Sequence, residues 1–491
     1  MGKLNLMAFD LGASNGRGIV GSFDGRAITL TETHRFENNF YEAGDAAHWD
    51  VKALLENLKT CLVKAKALGF DLACFGVDTW GVDYGLLDGE GKLIGDPRAY
   101  RMSADADMDA AWRLVPRETL FARTGIANMN FNTVYQLYRR VREGDAELAR
   151  AEALLLMPDL LGYLLTGARA SEYTNVTTTN LYNVEARDWD AEIIGKLGIP
   201  SGIFTEIDRA GTLRGKLTQA LATALDVPRS SFAAVGTHDT ASAVAAIPGE
   251  GSFAFCSSGT WSLFGVETDK PVINDAVFNA NFSNEGTVQG GCRPLKNIMG
   301  LWLIQECRRE WQRQGMQLGW NDIVEAAKKE EPFRSVIHPD YGEFFKAGDM
   351  PGKIARFCQR TNQPVPETVG QVARCIYESL ALEYRWALER LETIKGMPIH
   401  SLNITGGGIQ NKLLNQMAAD AIDRPVVTGP VEGAALGNLL MQAMAMGEIK
   451  DLAQAREVVR ESVSVEAYEP HRTAAWEDAY ARLLSLQHVK A

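Results

Sequence analysis

Leu4–Phe23 reads LNLMAFDLGASNGRGIVGSF. Leu4 to Phe9 is a short apolar run with the length of a strand. Asp10 to Gly16 is rich in turn-forming residues, and Arg17 to Phe23 alternates in character. Asp24-Gly25 is a two-residue hairpin signal, and Ala27 to Thr33 is again strand-like. A sheet that opens on consecutive hairpins is not the strand–helix–strand start of a dinucleotide fold. The same plan returns at Gly251–Val266, GSFAFCSSGTWSLFGV: apolar strand, small polar turn, strand. Two halves of one architecture are therefore expected, dividing near Pro248-Gly249 into domains 1–247 and 248–491.

Further along, Asp50–Leu68 has helical period in Val51, Leu54, Leu55, Leu58, Leu62 and Val63. Leu72–Val77 is a short buried strand that runs into Asp78-Thr-Trp-Gly-Val-Asp83. Leu213–Leu225 reads as a helix and Phe232–Gly236 as a strand. Helices are expected near Asn297–Arg313, Glu367–Ile394 and Asn411–Ala421, and a strand at Leu402–Thr405 before Gly406-Gly407-Gly408. This mixture predicts an α/β protein with mixed sheets.

The 491 residues include 50 basic and 62 acidic ones, a net charge of −12. That balance excludes a global preference for nucleic acid or anionic membrane, so any phosphate must be bound locally. Seven dispersed cysteines without metal-ligand spacing read as reduced thiols of a cytoplasmic protein. The expected assembly is a monomer or homodimer. No apolar run reaches the roughly 18 residues of a membrane span.

Gly12-Ala-Ser-Asn-Gly16 matches the G-x-S-x-G pattern in which Ser14 would be a nucleophile, but that motif needs a following helix, and a strand is expected at Arg17. The other readings are a plain hairpin loop and a phosphate loop. In the last, small residues let backbone N–H groups approach an anion, and Asp10 would hold Mg²⁺ through water. Ser257-Ser-Gly-Thr260 offers the same chemistry in the second half. Gly406-Gly407-Gly408 is either a tight strand-to-helix connection or a platform for a nucleotide. His238-Asp239-Thr240 follows a strand and opens a helix, so Asp239 is either a general base for a hydroxyl or one of a pair of N-cap candidates with Thr240. Trp80-Gly81-Val82-Asp83 and Tyr173–Tyr182 mix rings with hydroxyls and amides, as a sugar site does and as loop packing also does.

Together, Asp10-Leu-Gly-Ala-Ser-Asn-Gly-Arg17, Gly76-Val-Asp-Thr-Trp-Gly-Val-Asp83, His238-Asp-Thr-Ala-Ser-Ala243, Ser257-Ser-Gly-Thr-Trp-Ser262 and Gly406-Gly-Gly-Ile-Gln-Asn411 resemble the FGGY carbohydrate kinases from about residue 4 to about 470. Met157-Pro-Asp159 and Leu295–Gln305 resemble the members that phosphorylate L-rhamnulose. The resemblance implies two ribonuclease-H-like domains of the actin/hexokinase type, with ATP and sugar in the cleft between them. It implies Mg²⁺-dependent phosphorylation of the C1 hydroxyl of an L-ketose, L-rhamnulose first, with L-fuculose or L-xylulose as alternatives and a non-catalytic actin-like ATP-binding protein as a remote one. By position, Ala13, Ser14, Asn15, Gly16, Arg17 and Thr260 would line the phosphates, and Gln305, Gly407 and Gly408 the nucleoside side. Gly81, His238, Asp239, Thr240 and Asn297 would serve the substrate, with Asp239 as proton acceptor and Asp10 organising Mg²⁺. Asn15 stands where a second Ser is common, and Met102 where an acid often follows the Arg, which bears on the choice of ketose.

Overall fold

The computed structural model of the protein describes residues 3–44, 46–471 and 473–489. The chain forms two compact units. The first comprises Met1–Pro248, Glu267–Pro294 and Gly433–Val463; the second comprises Gly249–Val266, Leu295–Glu432 and Ser464–Ala491. Segments from beyond residue 248 complete the first unit, so the units are not contiguous along the chain, while the second begins at Gly249, beside the expected boundary.

The first unit is built on a six-stranded sheet. Its strands are β1 (Leu4–Leu11), β2 (Asn15–Phe23), β3 (Ile28–Glu37), β4 (Leu72–Thr79), β5 (Thr212–Lys216) and β6 (Ser231–Ala234), in the order β5-β6-β4-β1-β2-β3. β1, β2 and β3 form an antiparallel meander; β4 runs parallel to β1 and β6 parallel to β4; β5 closes the edge antiparallel. β1 is buried on both faces, which is why it reads as an unbroken apolar run. Met7, Phe9 and Leu11 pack in one core with Leu54, Leu58 and Leu62 of the helix Val51–Ala67. Leu6 and Ala8 face the other, with Leu436, Leu439 and Leu440 of the helix Gly433–Ala445.

The second unit repeats the scheme with β7 (Phe253–Ser258), β8 (Trp261–Gly265), β9 (Cys292–Met299), β10 (Ser401–Thr405), β11 (Val426–Thr428) and β12 (Glu466–Tyr468), ordered β9-β8-β7-β10-β11-β12. Again an antiparallel meander meets two parallel strands and an antiparallel edge strand. Such βββ–parallel sheets flanked by helices are the ribonuclease-H-like architecture expected from the sequence.

Two elements differ from their sequence reading. The segment expected as the helix Leu213–Leu225 is strand β5 followed by the helix Gln219–Leu225. The Thr218 side chain caps that helix by accepting from Leu221 N, which fixes its start, and Leu213 stands exposed on the edge strand. The helix expected at Asn297–Arg313 begins only at Trp302, because residues 295–299 pair with β8. Gly300 makes the turn: a Cβ there would lie 2.7 Å from Ser262 Oγ, and Gly300 N and Trp302 N both donate to Thr260 O.

Candidate active site

In the first unit, the carboxyl ends of β1 and β4 and the loop after β6 converge. Asp10 faces Asp78 across the β1–β4 ladder and Arg17 across β1–β2. Arg17 Nε and Nη2 donate to Asp10 Oδ2 at 3.0 and 2.7 Å. Asp78 is fully buried; Asn438 Nδ2 donates to its Oδ2 at 2.5 Å, and its Oδ1 has no partner. Burial first, and then the Asp10 charge beside it, push the Asp78 carboxyl well above its ordinary range. Two close carboxylates, one with an unpartnered buried oxygen, fit a hard divalent cation that keeps most of its water and takes phosphate oxygens. Among the described residues no cluster of three ligating side chains exists that would hold such an ion alone.

The turn after β1 is held by its backbone and by one side chain that the sequence reading missed. Gly12 N donates to Asn15 O at 2.9 Å; Asn38 N donates to Ser14 O at 3.1 Å and Asn38 Nδ2 to Gly12 O at 2.9 Å. Ser14 and Asn15 stand exposed at the tip. Gly16 is obligatory, since a Cβ would sit 2.4 Å from the Phe36 ring. The strand that follows at Asn15 excludes the strand–turn–helix context of a Ser14 nucleophile. Arg101 Nη2 reaches Ala13 O at 3.4 Å, and Met102 beside it is exposed.

β6 leads to His238 and Asp239. His238 forms an isolated parallel bridge with Thr79, which brings the two loops side by side. The helix Asp239–Ala245 has His238 at its N-cap and no side-chain cap bond, so the capping role open for Asp239 and Thr240 is not taken. The Asp239 carboxylate accepts from Thr240 Oγ1 at 3.0 Å, and its side chain is about a third exposed (31%). The enclosing protein, and then the Asp10 charge, raise its pKa, while His238 draws it back.

Glu172 fixes this loop from below. Its Oε2 accepts from the N–H and hydroxyl of both Thr174 and Thr237, at 2.5–3.1 Å, and His238 N donates to Thr174 Oγ1 at 3.2 Å. Burial pushes the Glu172 carboxyl up to about 7. Gly81 lies against Thr178, whose Oγ1 would be 3.0 Å from a Cβ. Next to it Val82 adopts φ +69°, a strained state for a β-branched residue. It is held there by Thr178 Oγ1 on its N–H and by the Thr133 hydroxyl on its carbonyl. Asp83 anchors the loop by accepting from the indoles of Trp49 (2.7 Å) and Trp80 (3.0 Å), and burial pushes it up to about 6.

In the second unit, the β7–β8 turn and the glycine run after β10 form one constellation. A Cβ on Gly408 would lie 2.0 Å from Ser258 Oγ, and one on Gly406, at φ +87°, would lie 2.8 Å from Ser258 O. Gly407 is open, with nothing within 4 Å. Thr260 is exposed, and its hydroxyl lies 3.4 Å from Gln305 Oε1 on the helix Trp302–Arg313. Asn297 sits on β9 opposite Leu263, with its Oδ1 buried and without a partner.

The structure thus gathers Asp10, Ala13–Arg17, Gly81 and His238–Thr240 in the first unit, and Thr260, Gln305, Gly407 and Gly408 in the second. Asn438 announces itself in sequence as an amide inside the apolar helix Gly433–Ala445. Asn38 and Glu172 carry no such signal.

The FGGY family of carbohydrate kinases, N-terminal domain, matches residues 5–246, and its C-terminal domain matches residues 254–446. A rhamnulokinase of Bacteroides thetaiotaomicron is 42% identical over 480 residues, covering 97% of this chain and 98% of that protein. A rhamnulokinase of Bacillus subtilis is 39% identical over 465 residues, 94% of this chain and 95% of that one. A ligand-bound xylulose kinase from Lactobacillus acidophilus superposes with a TM-score of 0.78 at 14% identity, over 98% of this chain and 96% of that one. A glycerol kinase from Plasmodium falciparum with ADP gives 0.78 at 13% identity, over 100% and 99%. At such identities these two establish the fold.

Proposed function

This chain belongs to the FGGY family of carbohydrate kinases, and from that premise we propose that it transfers the γ-phosphoryl group of ATP to the C1 hydroxyl of L-rhamnulose. The observation that carries the choice of sugar is the near-full-length identity with rhamnulokinases. Asp239 accepts the proton of the attacking hydroxyl; its carboxylate is not spent on capping its helix. His238, Thr240, Gly81 and Asn297 contact the sugar. Ala13, Ser14, Asn15, Gly16 and Arg17 take phosphate oxygens, and Thr260, Gln305, Gly407 and Gly408 serve the nucleotide. Asp10 and Asp78 would hold Mg²⁺, which when bound neutralises phosphate charge. Asp10 also orients Arg17, so that one guanidinium edge is fixed by the carboxylate. Phe131, in edge contact with Tyr100, and Trp80 supply apolar surface for the 6-deoxy end of the sugar. Seven buried, unpaired thiols fit a reducing compartment such as the cytoplasm.

The test is ADP release with L-rhamnulose, L-fuculose, L-xylulose and D-xylulose. L-rhamnulose should give the highest kcat/KM, by roughly 10–200-fold where one methyl decides. Another ketose exceeding it tenfold overturns the sugar, and no turnover with any ketose overturns the kinase reading.

A further inference from the structure

His238 lies between two carboxylates. Its Nδ1 is 3.2 Å from Glu285 Oε2, and its Nε2 is 3.6 Å from Asp239 Oδ1, beyond hydrogen-bond length. Glu285 is buried, and the fully buried Arg293 backs it: Arg293 Nη2 lies 3.4 Å from both Glu285 Oε2 and His238 Nδ1, and Arg293 Nε donates to Gly286 O at 2.8 Å. His238 and Arg293 hold the Glu285 carboxyl below its ordinary value despite its burial.

Which ring nitrogen carries the proton follows from these partners. An ionised carboxylate only accepts and a guanidinium only donates. With hydrogen on Nδ1, the ring donates to Glu285, and Arg293 Nη2 turns its hydrogen to the same carboxylate. With Nδ1 bare, its lone pair would face a carboxylate oxygen 3.2 Å away inside the protein, a repulsion that the longer Arg293 contact would have to offset. The first arrangement gives the Glu285 carboxylate two donors, His238 Nδ1–H and Arg293 Nη2–H. It leaves Nε2 as a lone pair, next to Asp239 and too far from it to bond.

We propose that Glu285 is a positioning residue that fixes the His238 proton on Nδ1, so that Nε2 accepts a hydrogen bond from a second hydroxyl of the bound sugar, distinct from the one Asp239 deprotonates. This rests on the kinase reading above and adds to it a recognition rule: the substrate must present a hydroxyl donor close to C1, the C2 hemiketal hydroxyl of the ring form or the C3 hydroxyl. Glu285 does not touch the substrate. It acts through the imidazole, as second partners of ligand-binding histidines do.

The experiment uses the intact protein labelled with ¹⁵N-histidine. The spectrum of His238, assigned by its loss in His238→Gln, should show a neutral Nδ1–H tautomer near pH 8. In Glu285→Gln, whose amide can donate to a bare Nδ1, the Nε2–H signature should gain population. KM for the ketose should rise roughly tenfold or more, as expected when a donor meets a donor, with kcat within about threefold. Glu285→Asp, which keeps an acceptor, should restore the Nδ1–H spectrum and part of the KM. An Nε2–H tautomer in the unsubstituted protein overturns the proposal, whatever the variants do. So does a Glu285→Gln enzyme with unchanged KM. Failure of the unsubstituted enzyme to phosphorylate any ketose would overturn the kinase reading, which the tautomer measurement does not address.

Discussion

Asp239 combines three properties that a proton acceptor needs: a place at a strand-to-helix turn, a carboxylate not engaged as a cap, and a pKa raised by enclosure and by Asp10. Asp239→Asn keeps shape and Thr240 contact while removing basicity. We expect kcat to fall by at least roughly a hundredfold, with sugar binding, read by fluorescence or calorimetry, largely kept. The sign of the pH dependence follows. Protonated Asp239 cannot accept, so the rate of the unsubstituted enzyme should fall as pH drops through a pKa above the usual carboxylate range, and a rate flat down to pH 4 would contradict the assignment. The place of Asp239 was legible in the sequence because its neighbours along the chain announce a loop after a strand. Glu172 and Glu285 were not. Each is an ordinary acid in one dimension and gains its meaning from partners tens of residues away, Thr237 for the one and His238 for the other.

At the scale of elements, what could be read was what burial writes into the chain. β1 was legible because both of its faces are covered, and Val51–Ala67 because one face is. β5 was not, since an exposed edge strand carries no apolar period, and the residues just before Trp302 look helical until the Gly300 turn is seen. The helix Gly433–Ala445 lies tight against its neighbours: a Cβ on Gly437 would come within 1.8 Å of Ser242 O, on the backbone of the helix Asp239–Ala245. Alanine at a helix interior ordinarily gains about 1 kcal/mol over glycine. Here a backbone atom cannot yield as a side chain would, and overpacking costs about 1–3 kcal/mol or more. Gly437→Ala should therefore lower the urea midpoint and, by shifting the helix that carries Asp239, also lower kcat. A midpoint equal to or above the parent's would show that the two helices separate freely.

For the whole molecule, one sheet plan is used twice and filled differently. At matching strand positions the first unit places Asp10 and Asp78, which face each other across β1–β4, and the second places Ser257 and Thr405, which face each other across β7–β10. Charge that would attract a cation is thus confined to the first unit, while uncharged hydroxyls and glycines suit the close approach of a nucleotide in the second. The repeated plan was visible in the two hairpin openings. The non-contiguous division was not, because no local pattern tells a helix which sheet it will cover.

The Asn438–Asp78 bond spans 360 residues, and Gln442 of the same helix donates to the carbonyl of Met7. During synthesis, β1 leaves the ribosome long before this helix and waits for its cover. At about 5–20 residues per second the wait is on the order of 20–90 s. Throughout it Leu6, Ala8 and Ile19 lack the apolar partners that Leu436, Leu439 and Leu440 later supply. The nascent first unit is therefore a natural client for chaperones that shield apolar surface. A chain lacking Gly433–Val463 should stay in that condition, captured by such chaperones or insoluble, whereas the full chain should release. Equal solubility of the two would mean that the late helix is an ornament of the first unit and not the closing piece of its core.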